Sequence, residues 1–158
     1  MTISGLPVHV LVVHAAVVLI PLTCLVAIGF AVLPGWRWLT RWPTAVGSLV
    51  CVGLAYLATT SGQSLERARQ LDRFVQQHAE RGHLLATLTI PLAVVAVVAA
   101  LLVPGPSGLA SGKGAVQARV AYADKVLPVL LVVMAVAVVV QCVLTGDSGA
   151  RAVWGQSP

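Results

Sequence analysis

The four histidines are the residues of this 158-residue chain best suited to binding chemistry. They form two pairs with the same spacing, His9 with His14 and His78 with His83. Imidazole nitrogens bind transition metals and heme iron. Ionisable residues in strongly apolar segments also tend to mark function, because they are costly to place there. The sequence therefore offers a candidate metal or heme site, and its chemistry depends on the elements that carry the four rings.

The elements that carry the histidines are apolar enough to lie in a membrane. Apolar residues make up 58% of the chain, charged residues make up 9%, and the mean hydropathy is +0.94. A soluble domain carries about 25% charged residues, so this composition argues against a water-soluble domain. Four runs without charges are long enough for helices that cross a bilayer. We predict spans at about residues 8–33, 43–62, 80–103 and 124–146.

These spans predict an all-α integral membrane protein, folded as an up-down-up-down four-helix bundle in one transmembrane domain, residues 1–158. Residues 63–78 form a polar, amphipathic segment, either a helix in the lipid headgroups or an extension of a span. Each histidine pair is followed by Ile-Pro-Leu, at 20–22 and at 90–92. Two repeated helical hairpins explain this pattern, with a pseudo-two-fold axis along the membrane normal.

The net charge of +5 lies mostly in short segments between the spans. Anchoring at the membrane surface explains such a pattern, so we expect the lipid bilayer as a partner and no nucleic acid. Arg37 and Arg41 occupy the first loop, where Trp36, Trp38 and Trp42 form an interfacial belt. This short basic loop favours an orientation with both termini outside. We therefore expect a multi-pass protein of the plasma membrane.

All four histidines fall at one end of the predicted bundle. His14 and His83 lie about 7.5 Å deeper than His9 and His78 along their helices. We predict the deeper pair as ligands of heme b or of a transition metal, with the outer pair as alternates, so all four are candidate metal ligands. The spacing of five residues turns two side chains about 140° apart. One histidine of each pair can therefore face the headgroups or a seam between helices instead.

Three arginines on the histidine side complete the predicted cofactor site: Arg67, Arg73 and Arg81. Guanidinium groups form charge-assisted hydrogen bonds with carboxylates, so these residues can pair with heme propionates. Binding to lipid phosphates is the alternative for each of them. Without any cofactor, the deeper histidines would hydrogen-bond carbonyls on neighbouring helices, and the outer ones would be ordinary interfacial residues.

The sequence holds no motif for hydrolysis or group transfer. It lacks a glycine-rich phosphate loop, a Cys-x-x-Cys pair and a pattern of paired carboxylates. The three cysteines fall inside spans and are interpreted as buried thiols. If the chain takes part in catalysis, it does so at most as a redox component. The glycines and serines of residues 104–114 predict a flexible loop.

Several short motifs resemble the bacterial membrane family catalogued as domain of unknown function 2231. They are Leu6-Pro7-Val8-His9 with His14, the Ser61-Gly62 pair, and Thr145-Gly146-Asp147-Ser148-Gly149-Ala150. The resemblance implies four helices, a bacterial plasma membrane and no settled activity. The family's arrangement looks like that of cytochrome b membrane proteins with one or two hemes. The chain departs from the family at Asp147, where a histidine is common.

The sequence thus predicts a membrane protein that binds heme or a metal through a histidine cluster near one membrane face, with a role in electron transfer. The alternative is a structural or accessory subunit of a larger respiratory or other membrane complex, without a cofactor. A transporter is a weaker alternative, because no acidic residue lies deep enough in a span to be embedded in the membrane, so proton coupling would need the histidines alone or oligomerisation.

Overall fold

Four long α-helices make up most of the described chain in this computed structural model. The structure describes the backbone of residues 2–3, 6–69, 73–109, 111, 113–117 and 120–154, and the side chains of 9–63, 75–109, 111, 113–117 and 120–151. The helices are α1 (Val8–Val32), α2 (Arg37–Arg69), α3 (Arg73–Leu102) and α4 (Ala123–Trp154). Ahead of α1, the short strands β1 (Thr2–Ile3) and β2 (Leu6–Pro7) pair antiparallel.

Each of the four helices is long and apolar enough to cross a membrane. Many large apolar side chains on their outer surfaces are exposed, as expected of helices that face lipid tails. The prediction of an all-α four-helix membrane bundle is confirmed.

The helices form a ring in which each one packs against two antiparallel neighbours. Helix α1 contacts α2 and α4, and α3 contacts the same two helices, so α1 and α3 lie across a diagonal. The interior is lined by small and medium-sized residues, among them Ala27, Cys51, Ala96 and Ala135, which allow helices to approach closely. This arrangement places the starts of α1 and α3 and the ends of α2 and α4 at one end of the bundle.

The polar segment 63–78 extends two helices instead of forming a separate one. Helix α2 continues to Arg69 and α3 begins at Arg73, so both run past the predicted ends of their spans. Residues 70–72 between them lie outside the described part of the chain.

The connections at the opposite end differ in length. A single 3-10 turn, Pro34–Trp36, leads from α1 directly into α2. The longer connection after α3, predicted as a flexible loop over 104–114, contains a regular contact among its described residues. Gly105 and Val116 exchange two backbone hydrogen bonds of 3.0 and 3.1 Å in an antiparallel bridge. Gly114, just before the bridge, has φ of +91°, a conformation that glycine adopts without strain.

Candidate functional site

His9, in the first turns of α1, is hydrogen-bonded to α2. Its Nδ1 lies 3.1 Å from the carbonyl oxygen of Ala58 and 3.2 Å from Ser61 Oγ. The Ser61 hydroxyl also donates to the Ala58 carbonyl, at 3.1 Å. Both oxygens can accept from one Nδ1–H, and this hydrogen bond selects the tautomer that leaves Nε2 without a proton. The half-buried ring is therefore held in one orientation by the neighbouring helix.

His78, at the start of α3, is fastened to α4 in the same way. Its Nδ1 lies 3.0 Å from the carbonyl oxygen of Thr145 and 3.3 Å from Ser148 Oγ, and Ser148 donates to that carbonyl at 2.8 Å. In both hairpins the serine follows the accepting carbonyl by three residues. The two contacts are equivalent in every partner, which supports the predicted repeat of two hairpins.

A glycine follows each of these serines and lies against the imidazole ring. A Cβ at Gly62 would lie 3.1 Å from His9 Cε1, and a Cβ at Gly149 would lie 3.0 Å from His78 Cε1. Both distances are shorter than ordinary van der Waals contact. We call each of these arrangements a histidine seat. The serine and the backbone carbonyl bind Nδ1, and the glycine leaves room for the ring.

The two seated histidines share a further property. Within the described residues, neither Nε2 has a hydrogen-bond partner. The two rings also lie at the same end of the bundle, on helices α1 and α3 across the diagonal. Histidines that bind metals commonly donate their other ring N–H to a carbonyl, which orients the ring. Each seat thus fixes Nδ1 and leaves one Nε2 lone pair without a partner among the described residues, on α1 and on α3.

The deeper histidines have different surroundings. His14 is exposed, and its Nδ1 donates to the carbonyl of Val10 in its own helix, at 2.6 Å. His83 is also exposed, and its Nε2 lies 2.9 Å from Gln63 Nε2, which donates to it across the seam between α2 and α3. The structure therefore exchanges the roles expected for the two layers. The outer pair is seated within the bundle, and the deeper pair lies at its surface.

The positions along each helix explain why His9 and His78 face the inside of the bundle. Going seven and eleven residues along α1 from His9 leads to Ala16 and Ile20, which are buried. The same steps from His78 lead to Leu85 and Thr89, also buried. Such steps keep side chains on one face of a helix.

The same steps from the deeper histidines lead outward. From His14, eleven residues lead to Leu25, and from His83 seven and eleven residues lead to Ile90 and Val94, all exposed. A spacing of five residues therefore puts one histidine of each pair inside the bundle and the other outside.

The four histidines do not form one metal cluster. Within the described residues, no group of three or more His, Cys, Asp or Glu side chains is arranged to hold a metal ion. Asp147 pairs with Arg151 at 3.0 Å on the exposed side of α4. The predicted set of His9, His14, His78 and His83 as joint ligands is therefore reduced to the two seated rings.

The three predicted arginines are only partly described. Arg81 is half-buried and donates from Nη1 to the carbonyl of Leu144, at 2.8 Å, on the same end of α4 that seats His78. Its backbone carbonyl accepts from Gln141 and Thr145, so Arg81 helps to join α3 and α4. The side chains of Arg67 and Arg73 lie outside the described residues.

Two other arginines, which the sequence analysis assigned to a loop, are buried at the opposite end of the bundle. Arg37 is 7% exposed and Arg41 is 4% exposed. Arg37 donates to the carbonyls of Phe30, Ala31 and Pro104. The reason is the short 3-10 turn, which brings the first residues of α2 directly beside the end of α1.

Arg41 donates hydrogen bonds to carbonyls at the end of α3 in a similar way. Its Nη1 and Nη2 donate to the carbonyls of Ala100 and Val103, and both guanidinium groups lie about 5.6–5.7 Å from the centre of the Phe30 ring. The last carbonyls of a helix have no partner within that helix. The two arginines therefore cap the ends of α1 and α3.

The seats were only partly visible in the sequence. In the sequence, Ser61-Gly62 stands out as a pair, whereas Ser148-Gly149 lies within the longer motif 145–150. The structure matches the two pairs, because Ser148 and Gly149 contact the second histidine as Ser61 and Gly62 contact the first. The Ser-Gly pair alone does not single out the seats, because it also occurs at 107–108 and 111–112.

Comparison with known proteins adds no further assignment. No protein-family model, no curated protein and no solved structure matches the chain. What the fold and the site define is a four-helix membrane protein with two equivalent histidine seats at one end of the bundle.

Proposed function

We propose that this membrane protein binds heme b or a transition metal between His9 and His78. The observation that supports the proposal is the repeated seat. Two rings from helices across the diagonal each have Nδ1 fixed by a carbonyl and a serine, and each has an Nε2 without a partner among the described residues.

The symmetry of the site favours a ligand that accepts two equivalent nitrogen donors. Heme iron with two axial imidazoles has such a requirement, and so does a metal ion that takes the remaining ligands from water or a substrate. Because each seat fixes one ring before the ligand arrives, less conformational entropy is lost on binding. Arg81, which lies beside the second seat, is the described arginine that can approach a heme propionate.

Electron transfer is the chemistry that such a group would support. A heme held by His9 and His78 would supply one-electron transfer, and no bond of the chain would form or break. The location of both seats at one end of the bundle puts that exchange near one membrane face. We propose the plasma membrane of a bacterium, with both termini outside, as the setting.

The test is a spectroscopic titration of the detergent-purified chain with hemin, followed by reduction with dithionite and reoxidation with ferricyanide. We expect one hemin per chain and the sharp visible bands of low-spin heme with two axial histidines. His9→Gln and His78→Gln should each abolish those bands, while His14→Gln and His83→Gln should retain them. Metal content is measured by elemental analysis of the same samples.

Two results would contradict the proposal. One is the lack of both a stoichiometric heme complex and a stoichiometric metal in the wild-type protein. The other is that the variants of the seated histidines, His9 and His78, lose the ligand no more than the variants of the exposed histidines, His14 and His83. The exposed pair is a matched control because it carries the same substitution on the same helices. Circular dichroism of each variant shows that a lost ligand is not a lost fold.

A second candidate function is supported by the same hydrogen bonds. The seats already join α1 to α2 and α3 to α4, so they can simply fix the helix ends of an accessory subunit in a larger membrane complex. In that case His9→Gln and His78→Gln lower stability without any spectral change. The complex is then recovered by co-purification in mild detergent.

A further inference from the structure

A second site lies at the end of the bundle opposite the histidines. A cavity of about 260 Å³ opens between the start of α2 and the connection that follows α3. Its wall consists of two indoles, two basic side chains and part of that connection: Trp38, Arg41, Trp42, Gly108, Leu109, Lys113 and Gly114. Tryptophan is enriched where a membrane protein meets the lipid headgroups. The cavity therefore has the composition of an interfacial site for an anion.

The charges around this cavity do not balance. Arg37, Arg41 and Lys113 are positive, while Asp124, exposed at the start of α4, is the one acidic side chain at this end among the described residues. Within the described residues, neither buried arginine forms a salt bridge. The ends of α1 and α3 supply about half a negative charge each, but the starts of α2 and α4 supply as much positive charge. A surplus of positive charge remains beside the cavity.

Arg41 has hydrogen-bonding capacity left for a ligand. Arg37 uses Nε, Nη1 and Nη2 on backbone carbonyls, whereas Arg41 uses only its two terminal nitrogens. A guanidinium has five N–H donors, so Arg41 keeps Nε–H and further N–H groups without an acceptor among the described residues. These donors belong to the residue that lines the cavity.

The wall of the cavity is a packed structure. A Cβ at Gly108 would lie 2.3 Å from Trp38 Cε3, so the backbone of the connection lies directly on the indole. A Cβ at Gly105 would lie 2.7 Å from Arg41 Nη2, which brings the chain equally close to the buried arginine. The bridge between Gly105 and Val116 holds this part of the connection in place. Arg41 and Trp38 are therefore positioned before a ligand arrives.

We propose that this cavity binds the phosphate of an anionic phospholipid headgroup. Arg41 supplies directed donors, Lys113 supplies a second positive charge, and Trp38 and Trp42 contact the glycerol region of the lipid. A lipid is favoured over free phosphate because the cavity lies at the end of membrane-spanning helices and is flanked by two indoles, which inorganic phosphate would not use.

The test is native mass spectrometry of the full chain, released from detergent and titrated with phosphatidylglycerol or phosphatidylcholine. We expect one phosphatidylglycerol to bind in preference to phosphatidylcholine. Lys113→Gln should weaken that binding about fivefold, the contribution of one basic residue near a lipid surface. Lys125→Gln is the matched control, since Lys125 is exposed at the same end but does not line the cavity, and it should leave binding unchanged.

A second pair of variants tests the packed wall without changing charge. Gly108→Ala forces the connection away from Trp38 and should remove the preference for phosphatidylglycerol. Gly35→Ala, at the same end and with open space around it, should retain it. The proposal is overturned if the two lipids bind equally, if Lys113→Gln and Lys125→Gln behave alike, or if inorganic phosphate at equal concentration displaces the lipid.

Discussion

The two hairpins contribute equally to one end of the bundle and unequally to the other. At the histidine end, each hairpin contributes the same parts: a histidine from its first helix and a Ser-Gly pair from its second. At the arginine end, both buried guanidinium groups come from α2, while the start of α4 carries Asp124 and Lys125. The repeat is thus preserved at one end and lost at the other.

The difference fits one proposed task, ligand binding at the histidine end, and one structural task, the capping of helix ends at the arginine end. A ligand on the pseudo-two-fold axis meets both hairpins alike, so a symmetric seat suits binding at the histidine end. The arginine end has a different requirement, because the ends of α1 and α3 both need donors and the short turn Pro34–Trp36 starts α2 directly beside the end of α1. One helix therefore supplies the caps for two.

The largest effect is expected at the arginine end. Arg37→Met keeps much of the apolar side chain but removes donors from the carbonyls of Phe30, Ala31 and Pro104. Unsatisfied buried acceptors cost about 1–3 kcal/mol each, partly offset because a buried charge is also removed. We expect a loss of about 3 kcal/mol in the free energy of unfolding, measured by denaturant titration in detergent.

The control for this change is Arg151→Met at the other end. Arg151 pairs with Asp147 on the exposed side of α4, and such pairs contribute at most about 1 kcal/mol. A similar loss in the two variants would show that the hydrogen bonds of Arg37 contribute no more to the free energy of unfolding than an exposed ion pair does.

The histidine end should respond equally in its two halves. Gly62→Ala and Gly149→Ala place a methyl group 3.1 and 3.0 Å from the imidazole carbons of His9 and His78. Overpacking of this kind costs about 1–3 kcal/mol. We expect both variants to lose about 1–2 kcal/mol in the free energy of unfolding, by the same denaturant titration.

Gly53→Ala on α2 and Gly146→Ala on α4 are the matched controls, since both glycines have open space around them. Alanine favours a helix over glycine, so these variants should be as stable as the wild type or more so. A loss confined to one of the two seats would argue that the hairpins are not equivalent.

The two ends also differ in how far the sequence predicts them. The fold follows from composition, because four long apolar runs in a short chain allow few arrangements. The common end of the four histidines follows from the alternating direction of the helices. Which histidine faces inward does not follow, because a membrane helix is apolar on all sides and carries no polar face to reveal its rotation. In α1, the small residues that mark the inner face, such as Ala16, are scattered among equally apolar neighbours.

The burial of Arg37 and Arg41 could not be predicted from the sequence, for a different reason. Arg37 and Arg41 follow the first span closely, beside three tryptophans, and a basic segment in that place is typical of a membrane anchor. Three of the carbonyls that they bind lie at the end of α3 or just after it, far away in sequence: those of Ala100, Val103 and Pro104. Only the packing of α2 against α3 makes those acceptors available.

The smallest effect is expected from the serines, and it bears on whether the two seats form one site. Ser61→Ala and Ser148→Ala each remove one acceptor from a histidine that keeps its carbonyl, so each should cost about 0.5–1 kcal/mol. In the ligand-free chain each serine contacts only its own hairpin's histidine, so the double variant should lose the sum of the two single losses. When hemin or a metal joins His9 to His78, the two substitutions should become non-additive, since each then disturbs the same bound group. Strict additivity under saturating ligand, measured as a double-mutant cycle on the free energy of unfolding, would mean that the seats act separately and that no ligand bridges them.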